Sequence, residues 1–145
     1  MKTPCRISVV VPSFNQAKYL ELTLRSILDQ NYRSLELIVI DGGSNDGSAD
    51  IIRKHAKHMK YWCSEPDGGQ AQGIIKGFSH ATGEILCFLN SDDLFEPGAL
   101  HEAGEYFDME IANAQQAGHR LRECGLACAA QSGEPHYWAG LNFGW

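Results

Sequence analysis

Two apolar segments that each end in aspartate decide the fold: Leu37-Ile-Val-Ile-Asp41-Gly-Gly-Ser-Asn-Asp46-Gly47 and Ile85-Leu-Cys-Phe-Leu-Asn90-Ser-Asp92-Asp93. Such runs predict buried strands, and the carboxyl ends of parallel strands are where open α/β sheets bind ligands. Their separation of about fifty residues fits neighbouring strands of one sheet. Carboxylates that converge there suit Mg²⁺ or Mn²⁺ together with a substrate that carries phosphates. The two segments therefore indicate a protein that handles a phosphorylated nucleotide.

Predicted strands and helices alternate from Ile7 to about Asp108. β-branched and aromatic runs predict strands at residues 7–12, 35–40, 61–63 and 85–89. Asn15, Asp46 and Pro97 are residue types that begin helices. The alternation predicts an α/β fold with an open, mostly parallel sheet and helices on both faces. The apolar helix positions expected to face the sheet are Leu20, Leu24, Ile27 and Leu28, then Ile51, Ile52, Ala56 and Met59, then Ala71, Ile74, Ile75 and Phe78, and last Leu100, Ala103 and Phe107.

The character of the chain changes after Asp108. Residues 109–123 can continue as helix, whereas residues 124–145 are rich in Gly, Ala and Cys and show no clear period. We therefore predict a ligand-binding domain over residues 1–108 and a divergent tail of unassigned structure over residues 109–145. The tail has two open interpretations, since it can pack on the sheet edge or mark a chain that is cut short.

The charge balance argues against general nucleic-acid binding. The net charge is −6, and Lys and Arg number 12 against 18 Asp and Glu and are scattered along the chain, which is unfavourable for binding a phosphate backbone. No apolar run approaches the length of a membrane span. We therefore expect neither a nucleic-acid partner nor an integral membrane segment.

The cysteines and the amino terminus indicate the cytoplasm. The five cysteines form an odd set, and Cys63 and Cys87 lie in predicted strands, which favours buried free thiols in a reducing compartment. Residues 1–6 lead directly into a strand and contain no signal-peptide core. We expect a cytoplasmic protein, with a peripheral position at the inner face of the membrane as the alternative.

Four polar loops are predicted to gather at the carboxyl edge of the sheet: residues 12–15, 41–46, 65–70 and 90–93. Turn formation alone explains the glycines and Asp46. It explains Asp92 and Asp93 poorly, because adjacent carboxylates repel each other unless a cation or hydrogen-bond donors compensate. We therefore interpret Asp92, Asp93 and Asp41 as ligand- or metal-binding residues.

Three other classes of α/β protein lose support. The loop after the first strand lacks Gly-x-Gly-x-x-Gly, and Gly-x-x-x-x-Gly-Lys-Ser/Thr occurs nowhere in the chain, which argues against a dinucleotide-binding dehydrogenase and a P-loop nucleotidase. A metal-dependent phosphohydrolase on a similar sheet would need a nucleophilic aspartate after the first strand. Pro12-Ser-Phe-Asn15 provides none.

Four motifs in order resemble the family 2 glycosyltransferases of the GT-A fold. They are Ser8-Val-Val-Val-Pro-Ser-Phe-Asn15, Asp41-Gly-Gly-Ser-Asn-Asp-Gly-Ser48, Glu65-Pro-Asp67 and Gly83-Glu-Ile-Leu-Cys-Phe-Leu-Asn-Ser-Asp-Asp93. The resemblance covers residues from about Arg6 to Phe107 and corresponds to the nucleotide-sugar-binding half. It implies a hexosyltransferase-class enzyme that transfers a sugar, with inversion, from a nucleoside-diphosphate sugar to a hydroxyl acceptor with Mn²⁺ or Mg²⁺. A UDP-sugar is the family's commonest donor, and polysaccharide, glycolipid or glycoprotein synthesis is the implied context.

The resemblance also implies a role for each matching residue. Asp93 would bind the metal that bridges the diphosphate, and Asp92 would lie nearer the ribose. Asp41 would hold the nucleoside. The other residues implied to contact the nucleotide sugar are Pro12, Ser13 and Asn15 at the base and ribose, and Glu65, Asp67 and Lys76 toward the donor sugar.

Two departures from the family pattern leave a second hypothesis open. Gln72 and Ile75 stand where close relatives carry a carboxylate and an amide, so contacts to the donor sugar are in question. The general base is not found, because none of Glu102, Glu105, Asp108, Glu110, Glu123 and Glu134 lies in a matching motif. The alternative to an enzyme is therefore a truncated or degenerate module that binds a nucleotide sugar without turnover.

Overall fold

The computed structural model describes residues 3–117, 128–131 and 134–138, with side chains for residues 3–113. Strands and helices alternate, as predicted, up to the fourth helix. The elements are β1 (Ile7–Ser13), α1 (Ala17–Leu28), β2 (Leu35–Asp41), α2 (Ser48–His55) with a 3₁₀ turn (Ala56–His58), β3 (Tyr61–Ser64), α3 (Gln70–Ser79), β4 (Ile85–Phe88), α4 (Ala99–Ala117), β5 (Cys128–Gln131) and β6 (Glu134–Trp138).

The strands form one sheet with the order β3-β2-β1-β4-β6-β5. All neighbouring pairs are parallel except β5 and β6, which run antiparallel. Ser13 is in register with Asp41, and Asp41 is in register with Ser64. The loops that follow β1, β2 and β3 therefore leave the sheet side by side at its carboxyl edge.

Hydrophobic cores cover both faces of the sheet, which confirms the predicted α/β architecture. On one face, Val9 and Val11 of β1 belong to a cluster that includes Leu24 of α1 and Leu100 of α4. On the other face, Val10, Ile38 and Ile40 pack with Phe78 of α3. Alternate residues of one strand thus enter opposite cores, as a parallel strand buried on both faces requires.

Helix α3 packs on the sheet through glycines rather than through the predicted apolar stripe. Gly73 and Gly77 are its buried residues, whereas Ala71 is exposed and Ile75 is 69% exposed. A Cβ at Gly77 would lie 2.3 Å from Val10 Cγ1. The helix backbone therefore approaches β1 too closely for larger side chains on that face, and the predicted inward position of Ile75 is wrong.

The predicted helix starts are shifted. Asn15 has a φ of +51° and does not cap α1, which begins at Ala17. The first N–H of α1 is instead bound by another loop, because Ala17 N–H donates to Asp46 Oδ2 at 2.9 Å. Pro97 lies before α4 rather than in its first turn. Gly98, with a φ of +87°, separates the two, and a left-handed residue cannot belong to the helix.

The region left unassigned by sequence contains two strands. The backbone of β6 extends the sheet beside β4, with Ile85 in register with Tyr137, and β5 pairs outside it. Strands in this tail therefore pack on the sheet edge. Helix α4 runs from Ala99 to Ala117 through the predicted boundary at residue 108, which stays a prediction. Across the described residues, no helix combines the length and the apolarity needed to cross a membrane.

Candidate functional site

An open cleft of about 760 Å³ lies at the carboxyl edge of the sheet. All four predicted loops contribute to it. The Asp41–Asp46 loop does so through Gly42 and Gly43, and the β4 loop through residues 90–92. The lining residues are Pro12, Ser13, Phe14, Gln16, Ile40, Gly42, Gly43, Pro66, Asp67, Gly69, Gln70, Asn90, Ser91 and Asp92.

Asp41 is fully buried between the cleft-lining Ile40 and Gly42. Its carboxylate accepts hydrogen bonds from Ser44 N–H at 2.9 Å, from the Ser44 hydroxyl, and from the Ser64 hydroxyl at 2.7 Å. Three donors keep a buried carboxylate solvated by protein. Asp41 thus fastens the β2–α2 loop to β3 directly under the cleft.

Asn15 joins the first two loops rather than capping a helix. Its N–H donates to Ser44 Oγ at 2.8 Å, and its Oδ1 accepts from Asn45 N–H at 3.0 Å. Since Ser44 also binds Asp41, these contacts hold the Pro12–Asn15 loop and the Asp41–Asp46 loop together. Ser13 lies at the cleft with its Oγ buried and without a hydrogen-bond partner among the described residues. That hydroxyl is available to a ligand.

The β3–α3 loop contributes an aspartate and an ion pair. Asp67 lines the cleft, packs against Gly42 and accepts from Gly69 N–H at 2.9 Å. A Cβ at Gly42 would lie 2.9 Å from Asp67 Oδ1, so a larger residue there would displace the Asp67 carboxylate. Glu65 and Lys76 form an exposed ion pair beside the loop, outside the cleft lining. The hydrogen bond to Glu65 raises the pKa of Lys76, and the Cys63 side chain adds to the effect.

Asp92 and Asp93 are both exposed at the end of β4. Asp92 lines the cleft, whereas Asp93 lies just beyond the lining and accepts from Asn90 Nδ2 at 3.1 Å. The loop backbone is anchored from α1, because the Thr23 hydroxyl lies 2.9 Å from Ser91 O and 2.8 Å from Asp93 O. The two carboxylates are therefore held at the cleft mouth by a fixed backbone.

The donor set suits a cation that a substrate helps to bind. The described residues contain no group of three or more His, Cys, Asp or Glu side chains able to enclose a metal ion. Mg²⁺, and by the same chemistry Mn²⁺, is commonly held by one or two carboxylates plus substrate phosphates rather than by a complete protein cage. Asp93, with Asp92 beside it, offers that number of hard oxygen ligands.

Several cleft residues were not singled out from the sequence. Phe14 lines the cleft and is 60% exposed, which is unusual for a large aromatic side chain. Its position inside the Pro12–Asn15 motif was the available signal. Gln70 and Asn90 were missed because they are twenty residues apart and meet through a hydrogen bond between their side chains. The other lining residues that were not singled out are Gln16, Ile40, Gly42, Gly43, Pro66, Gly69 and Ser91.

The two departures from the family pattern have clear positions. Gln72 Oε1 accepts from Gly68 N–H at 2.8 Å and so holds the β3–α3 loop. Ile75 points to solvent on α3. Neither residue lines the cleft.

The carboxylates of α4 also lie outside the cleft lining. Asp108 accepts from Cys5 Sγ at 2.9 Å, and Cys5 precedes β1, at the opposite edge of the sheet. Glu102, Glu105 and Glu110 are not among the lining residues. The side chains of Glu123 and Glu134 fall outside the described residues.

The fold and the cleft define an α/β domain with the GT-A arrangement. The chain belongs to Glycosyl transferase family 2, whose sequence profile matches residues 8–123. A Bacillus subtilis protein named for a glycosyltransferase role in teichuronic acid biosynthesis, TuaG, is 34% identical over 134 residues, which are 89% of this chain and 50% of that protein. This chain spans about a third to a half of the length of TuaG and of two uncharacterised glycosyltransferases, from Mycobacterium tuberculosis and Nostoc sp., that it also matches.

Solved structures agree with this assignment. S. aureus TarS 1–349 in complex with UDP matches with a TM-score of 0.67 and 26% identity, over 73% of this chain and 33% of that one. A mannosyltransferase from Pyrobaculum calidifontis in complex with GDP-Man and Mn²⁺ matches with a TM-score of 0.62 and 30% identity, over 71% of this chain and 32% of that one. Both matches confirm the GT-A fold.

Proposed function

We propose that this chain binds a nucleoside-diphosphate sugar with Mn²⁺ or Mg²⁺ and transfers the sugar, with inversion, to a hydroxyl acceptor. The observation that carries the proposal is the cleft at the carboxyl edge, with Asp92 in its lining and Asp93 beside it. A UDP-sugar is the first donor to test, since the TarS structure contains UDP, and GDP-Man is the second. We assign donor binding to residues 1–108, because the cleft lining extends from Pro12 to Asp92.

Each group in the cleft has a task in this proposal. Phe14 offers a flat apolar surface for the base, while Pro12, Ser13 and Asn15 shape the nucleoside pocket over Asp41. Asp93 would hold the cation, which when bound takes up the negative charge that develops on the leaving diphosphate. Asp67, with Glu65 and Lys76 beside it, would face the donor sugar.

The proposed setting is the synthesis of a surface polysaccharide, by analogy with the name of the B. subtilis relative. Among the described residues, Cys63 and Cys87 form no disulfide, which supports a reducing cytoplasmic compartment. The inner-membrane alternative has no support in the described residues.

A binding module without turnover is the second candidate. The observation that favours it is that the α4 carboxylates Glu102, Glu105, Asp108 and Glu110 lie outside the cleft lining. A missing general base would lower the rate of transfer by about 10²–10⁴-fold. Donor would then be held, or hydrolysed slowly by water, rather than passed to an acceptor.

One experiment tests both candidates. The purified chain is titrated by calorimetry with UDP and GDP in Mn²⁺ and in EDTA, then incubated with UDP- and GDP-sugars and a mixture of acceptors while free nucleotide and glycosylated product are followed. Metal-dependent nucleotide binding with acceptor-dependent product supports the enzyme. Binding without product supports the module, and no binding of either nucleotide contradicts both.

A further inference from the structure

A chain of hydrogen bonds links the start of α3 to the carboxylate of Asp93. Gln70 Nε2 donates to Asn90 Oδ1, and Asn90 Nδ2 donates to Asp93 Oδ2 at 3.1 Å. Gln70 and Asn90 both line the cleft. The hydrogen bonds thus run in one direction, from the Gln70 amide at the start of α3, through Asn90, to the Asp93 carboxylate after β4.

The direction of this chain is fixed by the chemistry of the Asn90 amide. An amide side chain has one accepting and one donating end. Because Gln70 donates to the oxygen, the Asn90 NH₂ group is turned toward Asp93. Asp93 N–H also donates to Asn90 O at 3.1 Å, which closes a tight turn between the two residues. The Asp93 carboxylate therefore has a defined orientation.

Asn90 orients Asp93 without neutralising it. A lysine or arginine in its place would bring a positive charge that competes with a cation for the same carboxylate. The neutral Asn90 amide adds no charge that would compete with a cation for Asp93. Among the described residues, no side chain donates a hydrogen bond to the other carboxylate oxygen, Asp93 Oδ1. This is the arrangement by which outer residues orient metal ligands in proteins.

We infer that Asn90 and Gln70 are positioning residues that set the orientation of Asp93 for a divalent cation bound with a nucleoside diphosphate. Through Gln70, the β3–α3 loop that carries Asp67 is coupled to cation binding at the end of β4. A change in one loop then alters the affinity at the other. The inference rests on the proposed function, because it presumes that the cation is bound with the diphosphate.

The test measures UDP affinity by calorimetry in saturating Mn²⁺ and in EDTA, and Mn²⁺ affinity in the presence of UDP by electron paramagnetic resonance. Asn90→Ala should lower the ratio of the two UDP affinities about tenfold, the usual size of an outer-residue effect on a metal ligand. Gln70→Ala should lower the ratio about threefold, as expected for one neutral hydrogen bond. The double variant should match Asn90→Ala alone, because Gln70 acts through Asn90.

Gln72→Ala is the matched control. It removes the same amide from the same helix turn, but its partner is Gly68 N–H rather than Asn90. The affinity ratio should change less than in Gln70→Ala, because the hydrogen bonds from Gln70 to Asn90 and from Asn90 to Asp93 are retained. Melting temperatures identify any variant that fails to fold. If Asn90→Ala does not fold, Gln70→Ala still tests the inference, because Gln70 is exposed.

The outcomes separate the inference from the proposed function. If wild-type chain binds UDP more tightly in Mn²⁺ and both variants keep the wild-type ratio, the inference is overturned and the proposed function stands. If the effects of Gln70→Ala and Asn90→Ala on the affinity ratio are additive in the double variant, Gln70 contacts the ligand directly. The inference that Gln70 acts through Asn90 is then wrong. If wild-type chain shows no metal-dependent nucleotide binding, both fail.

Discussion

The two edges of the sheet use carboxylates in opposite ways. At the amino edge, Glu36 is only 12% exposed and accepts from Ser8 Oγ at 2.7 Å, Lys60 Nζ at 2.8 Å and Thr82 N–H at 2.9 Å. At the carboxyl edge, Asp92 and Asp93 are exposed beside an open cleft. One edge has its charge compensated within the protein, whereas the other presents charge that a ligand can compensate.

The lowered pKa of Glu36 reflects the compensation of its charge at the amino edge. Burial raises the pKa of Glu36, but hydrogen bonds from Lys60, Thr82 and Ser8 outweigh it and lower the value to about 2. Adjacent carboxylates such as Asp92 and Asp93 instead repel each other, and a cation relieves that repulsion. We therefore expect substitutions at the amino edge to change stability, and those at the carboxyl edge to change ligand binding.

Asp93→Ala should have the largest effect on binding. Loss of the proposed metal ligand should reduce UDP affinity in Mn²⁺ by more than about 100-fold, beyond the range of outer-residue effects. Calorimetry in Mn²⁺ and in EDTA measures it, and the affinity in EDTA should be nearly unchanged. An Asp93→Ala chain that binds UDP in Mn²⁺ as tightly as wild type would show that the metal assignment is wrong.

Glu36→Gln should lower the free energy of unfolding at pH 7 by about 3 kcal/mol, the equivalent of a pKa depressed from 4.5 to about 2. A depressed pKa contributes stability that is present above the unfolded value and is lost as pH falls. The gap between wild type and variant should therefore close between about pH 4.5 and pH 2. Urea unfolding across that range measures it.

Glu105→Gln on the exposed surface of α4 provides the control, and its effect should stay within about 0.5 kcal/mol. UDP affinity should be unchanged in Glu36→Gln. If Glu36→Gln lost UDP binding without losing stability, the proposed separation between a stabilising amino edge and a ligand-binding carboxyl edge would be wrong.

Asp41→Asn tests the boundary between the two roles, because Asp41 is buried like Glu36 but lies under the cleft. An amide cannot accept from all of Ser44 N–H, Ser44 Oγ and Ser64 Oγ as the carboxylate does. We expect UDP binding to weaken by about 1–3 kcal/mol, in EDTA as well as in Mn²⁺. A loss seen solely in Mn²⁺ would instead make Asp41 a metal ligand.

The sequence predicted the parallel core well because the signals there are local. Runs rich in β-branched residues, such as Leu37–Ile40, favour strands, and motifs at strand ends predicted that the four loops would meet. The face of α3 was mispredicted because Gly73 and Gly77 pack by close approach, which a hydrophobic pattern does not report. The strands β5 and β6 were missed because their sequences lack alternation.

The candidate site was predictable as a set of loops but not as a set of contacts. The sequence singled out Asp41, but not that Ser64, on a neighbouring strand, would satisfy its carboxylate. The bond between Gln70 and Asn90 likewise depends on how α3 sits on the sheet. Contacts between residues distant in sequence follow from packing, and single-sequence patterns do not encode them.

Phe14→Ala should have a smaller effect than Asp93→Ala, and it should weaken only the contact with the base. Stacking on an aromatic side chain contributes about 1–3 kcal/mol per base, and a ring that is 60% exposed should lie near the low end. UDP affinity should therefore fall about fivefold to tenfold, equally in Mn²⁺ and in EDTA, while Phe14→Tyr keeps most of it. Pyrophosphate, which has no base, is the discriminating ligand, and its affinity in Mn²⁺ should not change. If Phe14→Ala weakens pyrophosphate as much as UDP, the ring supports the loop rather than the base, and the carboxyl edge then contains a structural residue where a binding one was expected.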